Sequence, residues 1–533
     1  MKKIAYIITG AVIFLLVSST SCSDFLEFES YGAPTFENYW KSDDDVLAAV
    51  DGLSFWQARE GIDGRGFTWF ENCSDNLVTG RSQSEADQIK NFQMSADNGR
   101  DAKDNWRIMY QLIAKSNDIL AKVPDLKITE NVKKNALGQA YFHRAFAYLW
   151  LAPWYGDNGP NGGIPIVTEQ TEFDDLDAPR PSSVLENYDM IIEDMSKAAE
   201  LLPLMSQQPK ADWGRPHKAA AWAFTARAAL YAAQFDASYY QTILDMTSKI
   251  MALSGSDKRA LYAEYDNLFS ESANYSSEYI YSIQGTAVEG PKFAGMSFQN
   301  GGWGLYNTWG YFQPTYELYY AYEEGDIRRD VTILFPNQHI EFMSQEIHFG
   351  VKPAAISSTS GMTFRKWMHP FRKKGDAGIY FSTNGNNQST RMSIPLIRYA
   401  DILLMRAEAL IWSKGEGNPE AKELINDVRE RAGLSRNSNA TKAQLMNERR
   451  CELAFEFQPS RHLDLVRWGI AQQEYAKPLH GVKTILKDDG SFDKVEIVEI
   501  WPSRNFNPNV HHVFPIPQSD ISKSKNLVQN LGY

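Results

Sequence analysis

The stretch Arg398-Tyr-Ala-Asp-Ile-Leu-Leu-Met-Arg-Ala-Glu-Ala-Leu-Ile-Trp412 decides the fold class. Ile402, Met405, Ala409 and Trp412 recur three or four residues apart, so they share one face of a helix. Its second half, Arg406-Ala-Glu-Ala-Leu-Ile-Trp412, resembles two earlier segments, Arg144-Ala-Phe-Ala-Tyr-Leu-Trp150 and Arg227-Ala-Ala-Leu-Tyr-Ala-Ala233. Both of those carry the same period, through Phe142, Ala145, Phe146 and Leu149 and through Trp222, Ala226, Ala229, Leu230 and Ala233. Small alanines at these spacings let a neighbouring helix approach closely, which is how helical-hairpin repeats pack.

The copies stand 83 and 179 residues apart, so no fixed period of about 34 residues survives. The prediction is a mostly α chain: irregular tetratricopeptide-like helical repeats over about 40–255 and 397–470, with a long insertion before the third copy. Ala421, Leu424, Ile425, Val428 and Ala432 predict another helix, and further helices are expected at about 43–60, 101–123, 183–201, 238–253 and 442–457. Pro124, Pro203 and Gly433 stand where helix stops belong. The insertion, about 258–395, is rich in Gly, Asn, Ser, Tyr and Trp and reads as a loop-rich subdomain with a few short strands, Glu278-Tyr-Ile-Tyr-Ser-Ile283 among them. Lys487-Asp-Asp-Gly490 reads as a turn between strands.

The N-terminus carries Lys2 and Lys3, an apolar run from Ile4 to Val17, and a small-residue run ending at Cys22. That run falls short of the roughly 20 residues a spanning helix needs and has the pattern of a secretory signal over 1–21. A cysteine at the cleavage point is the residue a bacterial lipoprotein acylates, although Ser19 stands where leucine is usual. Acyl chains on Cys22 would anchor the chain to a membrane. The net charge of −12 disfavours nucleic acid, which requires a basic footprint. Cys73 and Cys451 remain, too few for a disulfide scaffold, and two separate buried thiols are the preferred reading over a bridge.

A series of short motifs, in order along the chain, resembles the SusD-like (RagB/SusD) family. They include Cys22-Ser-Asp-Phe-Leu-Glu27, Trp106 with Tyr110 and Asn117, Gly138-Gln-Ala140, Tyr155-Gly156, Gly163-Ile-Pro165, Arg180-Pro181 and Gly214-Arg215. Asp326 with Arg328 and Arg329, Arg398 to Met405, Ala407-Glu408-Ala409, and Asn426 with Arg429, Arg431 and Gly433 follow. Glu448-Arg449-Arg450, Glu452, Glu456, Arg461, Asp464, Arg467-Trp468, Pro515-Ile-Pro517 and Gln529 to Tyr533 complete the series. Most of these residues are expected to be structural: Arg467 and Trp468 pinning the last helix, and Glu448 to Arg461 forming an internal charge network. The resemblance implies an outer-membrane lipoprotein facing the cell exterior, seated on a SusC-like TonB-dependent transporter, that binds an oligosaccharide or, in some members, peptide.

Flat aromatic rings stack on the apolar faces of sugars, while amides, carboxylates and guanidinium groups bond the hydroxyls. One dense cluster offers such rings between glycines: Trp303, Tyr306, Trp309 and Tyr311. These are the expected stacking residues, with Asp75, Arg81 and Asn98 as polar partners and Cys22 as the lipidation site. No cofactor is expected, and no metal site: a structural calcium ion is not evident in the sequence, and His511-His512 reads as a strand pair pointing apart. The acidic runs Asp174, Asp175, Asp177 and Glu323, Glu324, Asp326 read as solvated loops rather than a hydrolase pair. No Gly-x-Ser-x-Gly elbow, phosphate loop or His-Glu-x-x-His motif is present. The leading expectation is therefore a non-catalytic glycan-binding lipoprotein that delivers nutrient to its transporter. Capture of peptide or another nutrient is the alternative, and glycoside hydrolysis the reading from a different class.

Overall fold

A computed structural model describes residues 39–57, 70–80, 84–97, 100–171, 177–285, 312–342, 345–351, 359–368, 380–381, 388–389, 391–456 and 460–533. The first half is helical: α1 (Asp43–Gln57), α2 (Ser84–Lys90), α3 (Arg100–Lys122), α4 (Glu130–Tyr155), α5 (Val184–Leu201), α6 (Lys218–Ala232) and α7 (Tyr239–Met251). Three short helices follow, α8 (Tyr265–Leu268), α9 (Tyr316–Ala321) and α10 (Ile327–Thr332). Long helices return with α11 (Tyr399–Lys414), α12 (Pro419–Arg431) and α13 (Lys442–Glu452), then α14 (Arg461–Arg467), α15 (Ala471–Tyr475) and α16 (Gln518–Ile521). From Tyr399 onward the quoted stretch is α11, with Arg398 as its N-cap, and its two relatives are the buried cores of α4 and α6.

Each long helix packs on the next, α3 on α4, α4 on α5, α5 on α6 and α6 on α7. Helix α7 then packs directly on α11, and α11 on α12, so the stack continues across the whole intervening segment. Alanine makes this possible: Ala219, Ala220, Ala221, Ala223, Ala226, Ala228, Ala229 and Ala232 of α6 are all fully buried. Gly138 of α4 does the same against the end of α5, where a Cβ would lie 2.8 Å from Leu202 Cγ and 3.1 Å from Leu201 Cβ. Gly138→Val should therefore destabilise the protein by about 1–3 kcal/mol through overpacking, read as a lower urea midpoint. A midpoint at or above that of the parent would show that α5 yields without cost.

The stop and start signals act as chemistry requires. Ser183 caps α5 by accepting from Leu185 N, and Thr441 and Gln444 form a reciprocal capping box on α13. Gly433 ends α12 at φ +79°, the left-handed conformation that glycine adopts freely.

Twelve short strands among the described residues form six two-stranded antiparallel sheets. Strand β1 (Leu77–Thr79) pairs with β3 (Phe312–Pro314), and β2 (Tyr279–Ile283) with β10 (Ile394–Arg398). Strands β4 (Ile333–Leu334) and β7 (Thr363–Phe364), β5 (His339–Phe342) and β6 (Gln345–His348), and β8 (Tyr380–Phe381) and β9 (Gln388–Ser389) make three more pairs. The longest hairpin joins β11 (Leu479–Leu486) to β12 (Phe492–Trp501) through the expected Lys487–Gly490 turn.

Charge holds the second half together. Arg328, Lys366, Arg398, Arg429 and Arg431 interleave with Glu278, Asp326, Glu448, Glu452 and Glu456 in one buried network. A second network joins Arg227, Arg449 and Arg467 to Asp401, Glu408 and Asp464. Trp468 Nε1 also donates to Glu408 Oε1 at 3.0 Å, so Arg467 and Trp468 pin α14 to α11, though α14 is not the last helix as expected, since α15 and α16 follow it. The first half has its own lock, in which Arg144 grips Asp194 with two parallel hydrogen bonds, 2.7 and 2.9 Å long. The C-terminal tail returns to it: Arg180 donates to the carbonyls of Gly163 and Val528, and Asn530 Nδ2 donates to those of Tyr155 and Phe514.

Two expectations need correction. His511 and His512 lie in a turn, not a strand, because His511 stacks on Phe92 while His512 sits 3.1 Å from Asp157. The second acidic run is not simply solvated: Asp326 is buried, caps α10 and grips Arg328, and Glu323 pairs with Arg429. In the first run, Asp177 is hydrogen-bonded to Ser524 and to Lys525 N, and Asp174 and Asp175 lie outside the described residues. Cys73 and Cys451 are separate buried thiols, each pushed up to about 12 by burial.

Candidate ligand-binding site

The aromatic run at 303–311 rejoins the described chain at Phe312, the first residue of β3. Phe312 pairs with Thr79, Gln313 with Val78 and Pro314 with Leu77. Thr79 lies two residues before Arg81. The sheet thus brings together the chain flanks of two segments that the sequence separates by more than 200 residues.

This short strap is held from every side. Lys90 is buried beneath it and donates to the carbonyls of Ser74 and Leu77. Gln313 Oε1 accepts from Ser360 N at 3.0 Å, and Thr315 Oγ1 donates to Asp75 O at 2.6 Å. Arg504 donates to Cys73 O at 2.5 Å, and Arg450 Nε to Asn76 Oδ1 at 2.8 Å. Side chains from the last third of the chain therefore fix a strap whose own three residue pairs would be marginal alone.

Asp75 is where the structure departs from the expected ligand contact. Its carboxylate is buried and already engaged: Arg461 donates to Oδ1 at 3.0 Å and to Oδ2 at 3.2 Å, and Arg450 Nη2 lies 3.1 Å from Oδ2. Burial alone would raise this carboxyl, but Arg450 and Arg461 outweigh it and hold it well below the usual range. The geometry makes Asp75 the anchor of the strap rather than a group open to a sugar hydroxyl. Arg81, Asn98, Trp303, Tyr306, Trp309 and Tyr311 lie outside the described residues, as does Cys22. Near Asn98 the chain is tied to α16, where Gln518 N donates to Ala96 O at 3.0 Å.

Glu71, at the foot of the same loop, accepts from Ser460 Oγ at 2.5 Å and from Arg461 N at 3.3 Å. Burial pushes its carboxyl up from 4.5 to about 7 in spite of these bonds. Between those two pH values the folded chain keeps a proton that the unfolded chain has lost. Stability should therefore fall as pH rises from about 4.5 to about 7, by on the order of 3 kcal/mol. Glu71→Gln removes this component, so the stability difference between pH 5 and pH 8, measured by urea unfolding, should shrink. An unchanged difference would show that Glu71 titrates normally.

A second aromatic feature escaped the sequence reading. On α9, Tyr316 stacks on Tyr319 and on Tyr320, and Tyr319 stacks on Phe335 at 4.2 Å between ring centres. Arg329 lies 5.1 Å over Tyr319, and Tyr320 is 77% exposed. The signal was present, because Tyr316, Tyr319 and Tyr320 fall at i, i+3 and i+4 directly after β3. Among the described residues no group of three or more His, Cys, Asp or Glu could hold a metal ion, and no helix is long and apolar enough to cross a membrane.

The chain is similar to known proteins along nearly its whole length. Residues 264–533 match the family described as the SusD family, and residues 24–230 match the family described as "Starch-binding associating with outer membrane". A SusD-like protein P2 of Formosa agariphila is 26% identical over 582 aligned positions, covering 99% of each chain. The crystal structure of a SusD-like protein from Bacteroides fragilis superposes with a TM-score of 0.76 at 23% identity, covering 94% of this chain and 99% of that one. The surface glycan-binding protein A of Bacteroides thetaiotaomicron, in complex with laminarihexaose, superposes with a TM-score of 0.69 at 20% identity, covering 92% and 100%. At these identities the two structural likenesses establish the shared fold.

Proposed function

The chain belongs to the SusD family, and from that premise we propose that it is a non-catalytic glycan-binding lipoprotein of the outer membrane. It is anchored through Cys22, faces the cell exterior and passes oligosaccharide to a SusC-like TonB-dependent transporter. The observation that supports the glycan reading is the β1–β3 strap, which pairs Phe312, the residue after the aromatic run 303–311 in the sequence, with Thr79, two residues before Arg81. Trp303, Tyr306, Trp309 and Tyr311 would stack on sugar faces, and Arg81 and Asn98 would bond hydroxyls. Asp75 would act beneath them by holding the strap. The likeness to a glycan-binding protein solved with laminarihexaose supports the ligand class, and the match of residues 24–230 supports the membrane location.

The test is affinity electrophoresis of the protein from residue 23 onward in gels containing plant, host and microbial polysaccharides, with the products analysed. Retardation by a polysaccharide that is left uncut is the expected result. Release of shortened sugars would overturn the non-catalytic reading. No retardation by any member of the panel would overturn the glycan reading and move the assignment to peptide or another nutrient.

A further inference from the structure

Helix α1 is apolar on two faces. Val46, Val50, Leu53 and Gln57 point inward and are buried, as one stripe of a surface helix should be. The flank beside it is apolar as well, Ala48, Ala49, Gly52, Phe55 and Trp56; Ala49 and Trp56 pack partly on the core, and Phe55 is 57% exposed. These residues line a cleft of about 480 Å³ closed by Tyr39 and Trp40 at one side and by Lys115, Asp118 and Ile119 of α3 at the other. That is within the range of pockets that hold small ligands.

Its chemistry is specific. Among the described residues four aromatic rings form the walls: Tyr39 sits edge-on to Trp40 at 5.1 Å, and Phe55 edge-on to Trp56 at 5.6 Å. The small residues Ala48, Ala49 and Gly52 lie between them, and a Cβ on Gly52 would meet nothing within 4 Å. The chain before α1 is set in place by Asp45, whose Oδ2 accepts from Lys41 N, Ser42 N and Ser42 Oγ, so Tyr39 and Trp40 are presented on a fixed turn. At the rim Lys115 and Asp118 lie 3.7 Å apart. Among the described lining residues these two charges cancel, which favours neither an anion nor a cation, yet together they offer hydrogen-bond donors and acceptors. Aromatic walls with a neutral polar rim suit a ligand with apolar faces and hydroxyl edges.

We propose that this cleft is a second saccharide site, taking one or two rings of an uncharged glycan, built on elements that share no residue with the strap. It rests on the glycan-binding reading above and extends it: two sites on one chain would hold a polysaccharide by avidity.

The experiment compares the protein from residue 23 onward with Trp40→Ala/Trp56→Ala, with Trp303→Ala/Trp309→Ala, and with Gly52→Leu. The last of these fills the cleft at a position where the added side chain has room and leucine favours helix over glycine. Each is run in gels containing the retarding polysaccharide. The two cleft variants should each weaken apparent affinity about tenfold, and Trp303→Ala/Trp309→Ala should remove retardation, the cleft by itself holding the polymer too weakly to slow it. If both cleft variants migrate like the parent in that gel, the second site is wrong while the glycan reading stands. If the parent is retarded by no polysaccharide, the glycan reading fails and takes this one with it.

Discussion

Replacing Trp303 and Trp309 together by alanine should abolish retardation by the cognate polysaccharide, a loss of about a hundredfold or more in affinity. Two large rings stacked at the centre of a site each contribute roughly 2 kcal/mol or more when truncated. The fold should survive, because the strap that follows the run in the chain is held by other groups. Gln313 is fixed by Ser360, Thr315 by Asp75 and Asn76, and Asp75 by Arg450 and Arg461, none of them in the aromatic run. Gel retardation and urea unfolding of the same variant separate the two effects. Unchanged affinity would remove these rings from the site. A large fall in the unfolding midpoint would instead assign them to the core.

Arg398→Ala should cost on the order of 3–5 kcal/mol, a large share of the 5–15 kcal/mol that typical proteins possess. Arg398 is fully buried and makes five hydrogen bonds: to Glu278 Oε1 at 2.6 Å, to Glu452 Oε1 at 2.5 Å and Glu452 O at 2.8 Å, and to both oxygens of Glu456 at 2.8 Å. Truncation leaves three buried carboxylates short of a cation and a cavity where the guanidinium stood. Burial raises the carboxyl of Glu452, but Arg431, Arg398 and Arg328 together hold it far below its ordinary value. A carboxyl held down in this way adds stability that is present above its unfolded pKa and is lost as pH falls through the folded one. Without Arg398 part of that contribution is gone, and the surplus carboxylate can be relieved by a proton. The deficit of the variant should accordingly be smaller at pH 4 than at pH 7. Urea unfolding at the two pH values checks this, and a deficit below about 1 kcal/mol at pH 7 would mean that the network tolerates the gap.

The two predictions differ in how far the sequence could reach. The rings of the aromatic run stood out because glycines separate them and no helical period fits. The worth of Arg398 did not stand out, since an arginine at a helix start has the same look whether it meets water or three glutamates. Asp75 shows the same limit from the other side. In the sequence it is one more polar residue in an irregular stretch, while in the fold its partner Arg461 lies 386 positions away and leaves no oxygen open. The sequence reading gave α1 only as a helix at about 43–60; the position of α3 makes its flank Ala48, Ala49, Gly52, Phe55 and Trp56 one side of a cleft.

What the sequence determined by itself is local: the helices of the stack, their caps and stops, the β11–β12 turn and the family. Each of these follows from side chains within a turn or two of one another, or from motifs that keep their order along the chain. What only the tertiary structure decided is which charges meet, which polar residues are spent on holding the strap, and where a helix face borders a cleft. Those outcomes depend on segments hundreds of residues apart arriving at the same place. Burial then gives each meeting its consequence, because a charge taken out of water must find its partner there.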